Sequence, residues 1–341
     1  MGAPEKILVI KPSSLGDVVH VFPALEVLRR SFPESELDFV IHPAFAELLD
    51  LSPFPVRRKI FFDRKKLGSV FTFFPAFRAL LRELRKEKYD LIIDFQGLFR
   101  SGLLARCARG RVIAGFASPR EKSAAFFYNR TYDVLMEQHA VPRYVELANK
   151  ICGTNIAVPD CPLPLMKESF PDLPAVFAVL VPGARWESKK FPPECFGAVM
   201  TEIRKKFPSC GAVIAGAAGD KKEAQLIQQI IPDAIDLTGK TTLVQLTEVM
   251  NKASAVITND SGPMHIAALT GTPIYALFGS TLPRLTGPWG EGHKIIQAQG
   301  CGCLGCMKRH CPLPEKHSCH KIDCAGAGAE IGESLKQQHL S

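Results

Sequence analysis

The 341-residue chain has no apolar run near the roughly 18 residues that cross a bilayer. Its start, Met1-Gly2-Ala3-Pro4-Glu5-Lys6, lacks the apolar core of a secretion signal, so a cytoplasmic protein is expected. RNA-binding signatures, a zinc-finger helix and a helix-turn-helix pattern are missing, which argues against a nucleic-acid partner. No G-x-G-x-x-G follows the first strand pattern, so nothing points to NAD. Gly239-Lys240-Thr241 is no Walker A loop, because Ile235 stands where its upstream glycine belongs. With 46% apolar and 22% charged residues the chain is not disordered. What remains is a folded chain long enough for two domains, with a net charge of +8 that suits a phosphorylated substrate or a membrane face.

Ile7–Ile10 reads as a buried parallel strand. A helical pattern follows Lys11–Asp17, and Pro23 inside it implies a short or kinked first turn. Leu37–Ile41, Leu91–Phe95 and Val112–Gly115 read as further strands, Ala44–Leu51 and Val141–Cys152 as helices. Pro162, Pro164, Pro171 and Pro174 mark a linker. The pattern then restarts, with strands at Val176–Val181, Ala212–Ala215 and Ile274–Phe278 and helices at Glu194–Phe207, Lys221–Ile231 and Thr242–Asn251. This alternation predicts an α/β fold of two Rossmann-like, doubly wound domains facing a cleft, with ligands at the carboxyl ends of the strands. Expected boundaries are 1–160 and 175–300, with a cysteine-rich tail over 301–341.

The most informative stretch is Ile257–Leu269. A strand breaks at a polar turn, Thr258–Gly262, and a helix follows with Pro263 in its first turn and Gly271 past its end. Such a helix start favours a phosphate, with Ser261 as a plausible N-cap and His265 in the first turn. Other candidates lie at strand ends. Asp17 is either a general base or a first-turn residue stabilising the helix dipole. In Pro182–Pro192, Gly183 allows close backbone approach, and Arg185 and Lys189 can neutralise a leaving diphosphate; a solvated basic loop is the other reading. Asp220, after Gly216 and Gly219, is either a ribose contact or a helix N-cap.

Arg57, Arg58, Lys59, Arg64, Lys65 and Lys66, with Arg120 and Lys122, form a basic group that suits an anionic acceptor or a solvated face. Val70–Arg82 mixes phenylalanine with arginine, as a membrane-surface helix or a helix packed on the sheet would. Cys107, Cys152, Cys161, Cys195 and Cys210 are scattered and expected to be reduced. Cys301, Cys303, Cys306, Cys311, Cys319 and Cys324, with His310, His317 and His320, are dense enough for zinc or an iron–sulfur group, though the alternative is a mobile tail of thiols.

Val9–His20, Pro182–Ala184, Lys189–Pro192, Leu237–Thr241 and Asn259–His265 together resemble the glycosyltransferase family 9 heptosyltransferases of Gram-negative bacteria. Asp94–Ser101, Arg120-Glu121, Phe127–Arg130 and Gln138–Val141 look most like the heptosyltransferase I branch, whereas Gly183-Ala184 is closer to heptosyltransferase II. The resemblance implies a GT-B fold and an inverting transfer of L-glycero-D-manno-heptose from ADP-heptose to Kdo of the lipid A inner core, beside the inner membrane. It implies Asp17 as base. It implies Lys189, Asp220, Asp260, Gly262 and His265 on the donor side, joining Gly183, Arg185 and Ser261 read from the residues themselves, and Arg64, Lys66 and Arg120 on the acceptor side, where Gln96 is a further candidate. No obligatory cofactor is implied. The alternatives are a heptosyltransferase II or III, or a non-catalytic nucleotide-sugar or metal-binding module; Asp17 and Lys189 count against the module, which needs no base.

Overall fold

The computed structural model describes residues 2–68, 73–161, 163–164, 173–313 and 318–340. Pro162 and Pro171 of the expected linker, Val70–Thr72 and His317 lie outside the described residues. The chain divides into two compact units, Met1–Leu163 and Pro164–Ser341.

The first unit holds β1 (Lys6–Ile10), α1 (Leu15–Val19), α2 (Phe22–Ser31), β2 (Glu36–Ile41), β3 (Val56–Phe61), α3 (Arg64–Leu67) and α4 (Phe73–Leu84). It continues with β4 (Leu91–Asp94), α5 (Phe99–Cys107), β5 (Val112–Phe116), β6 (Arg130–Tyr132) and α6 (Ala140–Cys152). The second unit holds β7 (Phe177–Val181), α7 (Pro193–Lys206), β8 (Gly211–Ile214), α8 (Lys221–Ile230), β9 (Ile235–Asp236) and α9 (Leu243–Lys252). It ends with β10 (Ala255–Asn259), α10 (Gly262–Thr270), β11 (Ile274–Phe278), α11 (Pro283–Thr286), β12 (Lys294–Gln297) and α12 (Cys324–Leu340).

Each unit is built on one parallel six-stranded sheet. The strand orders are β3-β2-β1-β4-β5-β6 and β12-β11-β10-β7-β8-β9, the same doubly wound order in both. Ile7–Ile10 are wholly buried at the centre of the first sheet, which explains their unbroken apolar run. In such sheets the strand order reverses at one point, here between β1 and β4 and between β7 and β10, and the loops that leave these strands splay apart there. The residues that follow β1, β4, β7 and β10 are therefore the ones the fold offers to a ligand.

Pro23 splits the first helical pattern as expected. It sits in the first turn of α2, where its missing N–H costs nothing, and α1 is a separate short helix. The end of the 301–341 segment is built into the second unit. α12 packs on α7, with Ile331 and Leu335 buried in the core of the second unit. Cys195 of α7 and Cys324 of α12 form a disulfide, their Cα atoms 5.5 Å apart. Cys195 is therefore not a reduced cysteine, and Cys324 is not a metal ligand, because the two helices bring them within bridging range. Among the described residues, no helix is long and apolar enough to cross a membrane.

Candidate active site

In the first unit, Asp17 lies in α1, just beyond β1. Its Oδ2 accepts hydrogen bonds from the Ser14 backbone N–H at 2.9 Å and from Ser14 Oγ at 2.7 Å. Its Oδ1 lies 3.6 Å from Lys11 Nζ and accepts from Tyr144 Oη at 3.5 Å. Lys11 Nζ also donates to Tyr144 Oη at 2.7 Å and to the Phe95 carbonyl at 3.2 Å. Burial opposes the Lys11 charge, but Asp17 and Tyr144 outweigh it and hold its pKa above the ordinary lysine value. Asp17 thus caps its helix and is also held by a buried cation, while its side chain stays 36% exposed.

Asp94, at the end of β4, is wholly buried. Its Oδ1 accepts from the backbone N–H of Gln96 and Gly97, and its Oδ2 from Ser101 Oγ and Tyr128 Oη. Burial pushes its pKa up against these donors. The result is a rigid β4–α5 turn. Gly97 has φ +64°, and the Glu121 N–H donates to its carbonyl, which ties the turn to the loop carrying Arg120. Gln96 Oε1 is buried and has no hydrogen-bond partner among the described residues. Burial lowers the pKa of Arg100, Arg64 and Arg120 add to the effect and Glu121 opposes it, so three guanidinium groups and one carboxylate act on one another beside this turn.

Three members of the basic group are held in ion pairs. Arg57 pairs with Asp38 and Glu36, Arg58 with Asp38 and Glu83, and Lys59 with Asp50. These three residues lie in edge strand β3, where charge is tolerated. Arg64, Lys65 and Lys66 are exposed in α3, behind its cap Asp63. In α4, Leu80 and Leu84 enter the core while Phe74, Arg78 and Arg82 are exposed, so the helix packs on the sheet and keeps an outward apolar and basic face.

In the second unit the buried member of the central pair is the acid. Asp260, 4% exposed, accepts from Thr281 Oγ1 at 2.5 Å and pairs with Lys189 Nζ at 2.7 Å. Lys189 Nζ also lies 4.8 Å from the centre of the Trp186 ring. Asn259 ties the strand end to both loops beside it. Its amide donates to the Pro182 carbonyl at 2.7 Å and accepts from the Phe191 N–H at 3.3 Å. Ser261 is the N-cap of α10 with an extended backbone, but its Oγ makes no capping bond and lies 3.4 Å from Thr258 Oγ1. Gly262 opens the helix, and His265 is buried one turn in.

Asp220 does not cap α8 with its side chain. It closes the preceding turn, accepting from the Ala217 N–H at 2.9 Å. Burial raises its pKa, against Ala217 and Lys190. A Cβ on Gly183 would lie 2.3 Å from the Asp220 carboxylate, so any side chain there would displace Asp220. Arg185 is exposed on the same loop. Sequence reasoning assigned no role to Lys11, Tyr144, Arg100, Asn259 or Thr281. A lysine or threonine at a strand end carries no mark of which acid it will meet.

The cysteine segment packs against the Lys189 turn. Ser188 Oγ donates to the Lys308 carbonyl at 2.6 Å, its N–H donates to the Arg309 carbonyl, and its own carbonyl lies 3.0 Å from His320 Nε2. Cys301 and Cys303 Sγ are 3.2 Å apart. Burial pushes the Cys319 thiol up to about 11, with Cys303, Cys301, Cys306 and Cys311 adding to the effect. Among the described residues, no three His, Cys, Asp or Glu side chains are arranged to hold a metal ion.

The fold matches solved glycosyltransferases. Escherichia coli heptosyltransferase WaaC with ADP aligns over 85% of this chain and 92% of its own, with a TM-score of 0.76 and 25% identity. E. coli ADP-heptose lps heptosyltransferase II aligns over 98% and 100%, with a TM-score of 0.78; at 22% identity it bears on the fold alone. Two doubly wound domains of this kind, with polar loops at each switch point, make this a GT-B glycosyltransferase. Residues 77–317 match glycosyltransferase family 9 (heptosyltransferase). Lipopolysaccharide heptosyltransferase 1 of Pseudomonas aeruginosa is 30% identical over 329 residues, covering 90% of this chain and 87% of that protein. Its counterpart in E. coli K12 is 28% identical over 313 residues, covering 86% and 93%. The chain belongs to glycosyltransferase family 9 and is a heptosyltransferase. The expectation of an enzyme holds, and the non-catalytic module finds no support.

Proposed function

We propose that this enzyme transfers L-glycero-D-manno-heptose from ADP-heptose to a Kdo hydroxyl of the lipid A inner core, with inversion. The observation that carries the reading is the held yet accessible carboxylate of Asp17 at the first switch point. The acceptor oxygen bonds to the anomeric carbon as the bond from that carbon to the diphosphate oxygen breaks. Asp17 takes the acceptor proton, and ADP leaves with the electron pair. The charge that develops on ADP meets Lys189, Arg185 and the free N–H groups of Gly262 and its neighbours at the start of α10. In this reading the protein supplies the positive charge, so no metal cofactor is called for.

Asp260 does not touch the phosphates, since a carboxylate beside them would repel. It positions Lys189. Asp220 accepts from the ribose hydroxyls, and His265 supports α10 without acting as a base. Arg64, Lys66, Arg100 and Arg120 receive the acidic Kdo and phosphate groups of the acceptor, with Gln96 Oε1 accepting a sugar hydroxyl. Exposed Phe74 and Phe126, with Arg78 and Arg82, suit peripheral contact with the anionic cytoplasmic face of the inner membrane.

The relatives' names favour the first-heptose reaction over transfer to an already heptosylated core. The test offers the purified full chain ADP-heptose with either Kdo-lipid A or heptosyl-Kdo-lipid A and reads products by mass spectrometry. One heptose added to Kdo-lipid A is the expected result. Transfer only to the heptosylated acceptor would reassign the acceptor, and transfer to neither would overturn the reading.

A further inference from the structure

We propose that Cys303, Cys306, Cys311 and Cys319 hold one thiophilic metal ion, Zn2+ or Fe2+, and that the bound ion fixes the segment that backs the Lys189 turn. The four cysteines line a single cavity of about 190 Å3, together with Ser188 and Lys308. Cys301 stands outside this set but touches Cys303, Sγ to Sγ at 3.2 Å. With Cys324 bonded to Cys195, the cysteines of this region that are in no disulfide are these five.

Four thiolates around one point are a preferred shell for zinc or a single iron ion. The thiols here face one cavity without converging to ligating distances. A cysteine side chain turns about one bond between staggered wells, so thiols around a shared cavity can swing inward. On binding, each ligand exchanges its S–H proton, released to solvent, for a metal–sulfur bond, and no oxidant or reductant is needed. The surrounding chain has need of such a clamp. Among the described residues between β12 and α12, the only helix is one three-residue turn, Ser318–His320. The described residues 298–313 carry no helix or strand, and irregular backbone of that length inside a compact domain usually has a cross-link or a function.

The site reaches the donor turn through named contacts. Ser188, next to Lys189, bonds to Lys308, Arg309 and His320. It also shares a 3.0 Å contact with Ser280 Oγ, and Thr281 next to that residue bonds to Asp260. His320, beside Cys319, stacks on Phe191 at 4.4 Å between ring centres. The effect on the donor rests on the role proposed above for Lys189; the metal site itself does not.

The experiment uses the full chain purified without oxygen. Elemental analysis is expected to find about one zinc or iron ion per chain, with iron recognised by its thiolate absorption in the visible. Cys303→Ser and Cys319→Ser lose the ion, whereas Cys301→Ser and Cys107→Ser keep it. Circular dichroism identifies a variant that has failed to fold, and chelation of the wild-type protein then replaces it as the metal-free sample. Removing the ion is expected to weaken ADP binding about 10-fold by calorimetry, the scale of a misplaced binding group. Less than a tenth of an ion per chain, full metal in both ligand variants, or these cysteines found as disulfides by mass spectrometry would each overturn the site. Unchanged ADP affinity after metal removal overturns the link to the donor turn. Failure of the metal-loaded protein to bind ADP at all overturns the donor reading and leaves the metal count standing.

Discussion

The two domains share a strand order but invert the pair at their switch points. In the first, a buried lysine supports an accessible acid; the Lys11 side chain is 3% exposed and that of Asp17 36%. In the second, a buried acid supports a more accessible lysine; Asp260 is 4% exposed and Lys189 16%. One scaffold can therefore present either sign of charge, and what decides the sign is which partner is sealed under the loop. The sealed member is costly to bury alone, so each pair is held together by more than the task of its outer member. The inversion matches the chemistry proposed, in which one domain takes a proton and the other stabilises an anion.

The comparison breaks most sharply at the outer acid. Asp17→Asn keeps the capping geometry and removes the base, so turnover should fall ~10²–10⁴-fold. ADP affinity measured by calorimetry should not change; near-normal turnover would leave Asp17 as a helix cap alone. The outer lysine comes next. Lys189→Met should reduce turnover by ~10²-fold and weaken ADP binding, as loss of one preorganised charge does. It also leaves Asp260 buried without its cation, so the melting temperature should fall as well. An ADP affinity equal to wild type would remove Lys189 from the donor site.

Lys11→Met tests the inner member of the first pair. It removes a buried charge and leaves Asp17 accessible, so turnover should fall only ~10-fold, through lost positioning. Steady-state kinetics should show that loss in kcat and not in the donor KM. The smallest effect is a pH dependence at Asp220. Its role as acceptor needs the ionised carboxylate, so ADP affinity should fall as the solution is acidified. Because burial raises this pKa above the ordinary 3.8, the loss should set in at a higher pH than for a solvated aspartate. Asp220→Asn should flatten the profile, and a slope that survives the substitution assigns the titration elsewhere.

The central strands were legible because burial on both faces leaves no room for polar residues. Ile7–Ile10 and Ile274–Phe278 are of this kind, and so is the strand–turn–helix around Asp260. Edge strands were not. β3 carries Arg57, Arg58 and Lys59, which read as a basic patch until Asp38, Glu36 and Asp50 were found beside them. β9, at two residues, is too short for any pattern. α12 opens with Cys-Ala-Gly-Ala-Gly, a sequence with no apolar stripe and little helix preference, and is held by packing on α7 and by a disulfide across 129 positions. The outer members of both central pairs, Asp17 and Lys189, were visible as polar residues at strand ends. Of the inner members, Asp260 was visible as a residue but not as the anchor of Lys189, because that partnership exists only once the β7 and β10 loops meet.

The bonds between Ser188 and the 308–309 backbone also bear on the timing of synthesis. Ser188 and Lys308 are 120 positions apart in the chain. At the ~5–20 residues per second of translation, the turn carrying Lys189 leaves the ribosome roughly 6–24 seconds before its backing is made. The first unit, which ends at Leu163, is whole well before then. A nascent chain is thus able to complete its first unit early, while the turn that carries Lys189 waits for residues 120 positions further along, so a polypeptide released before Lys308 carries that turn without its backing.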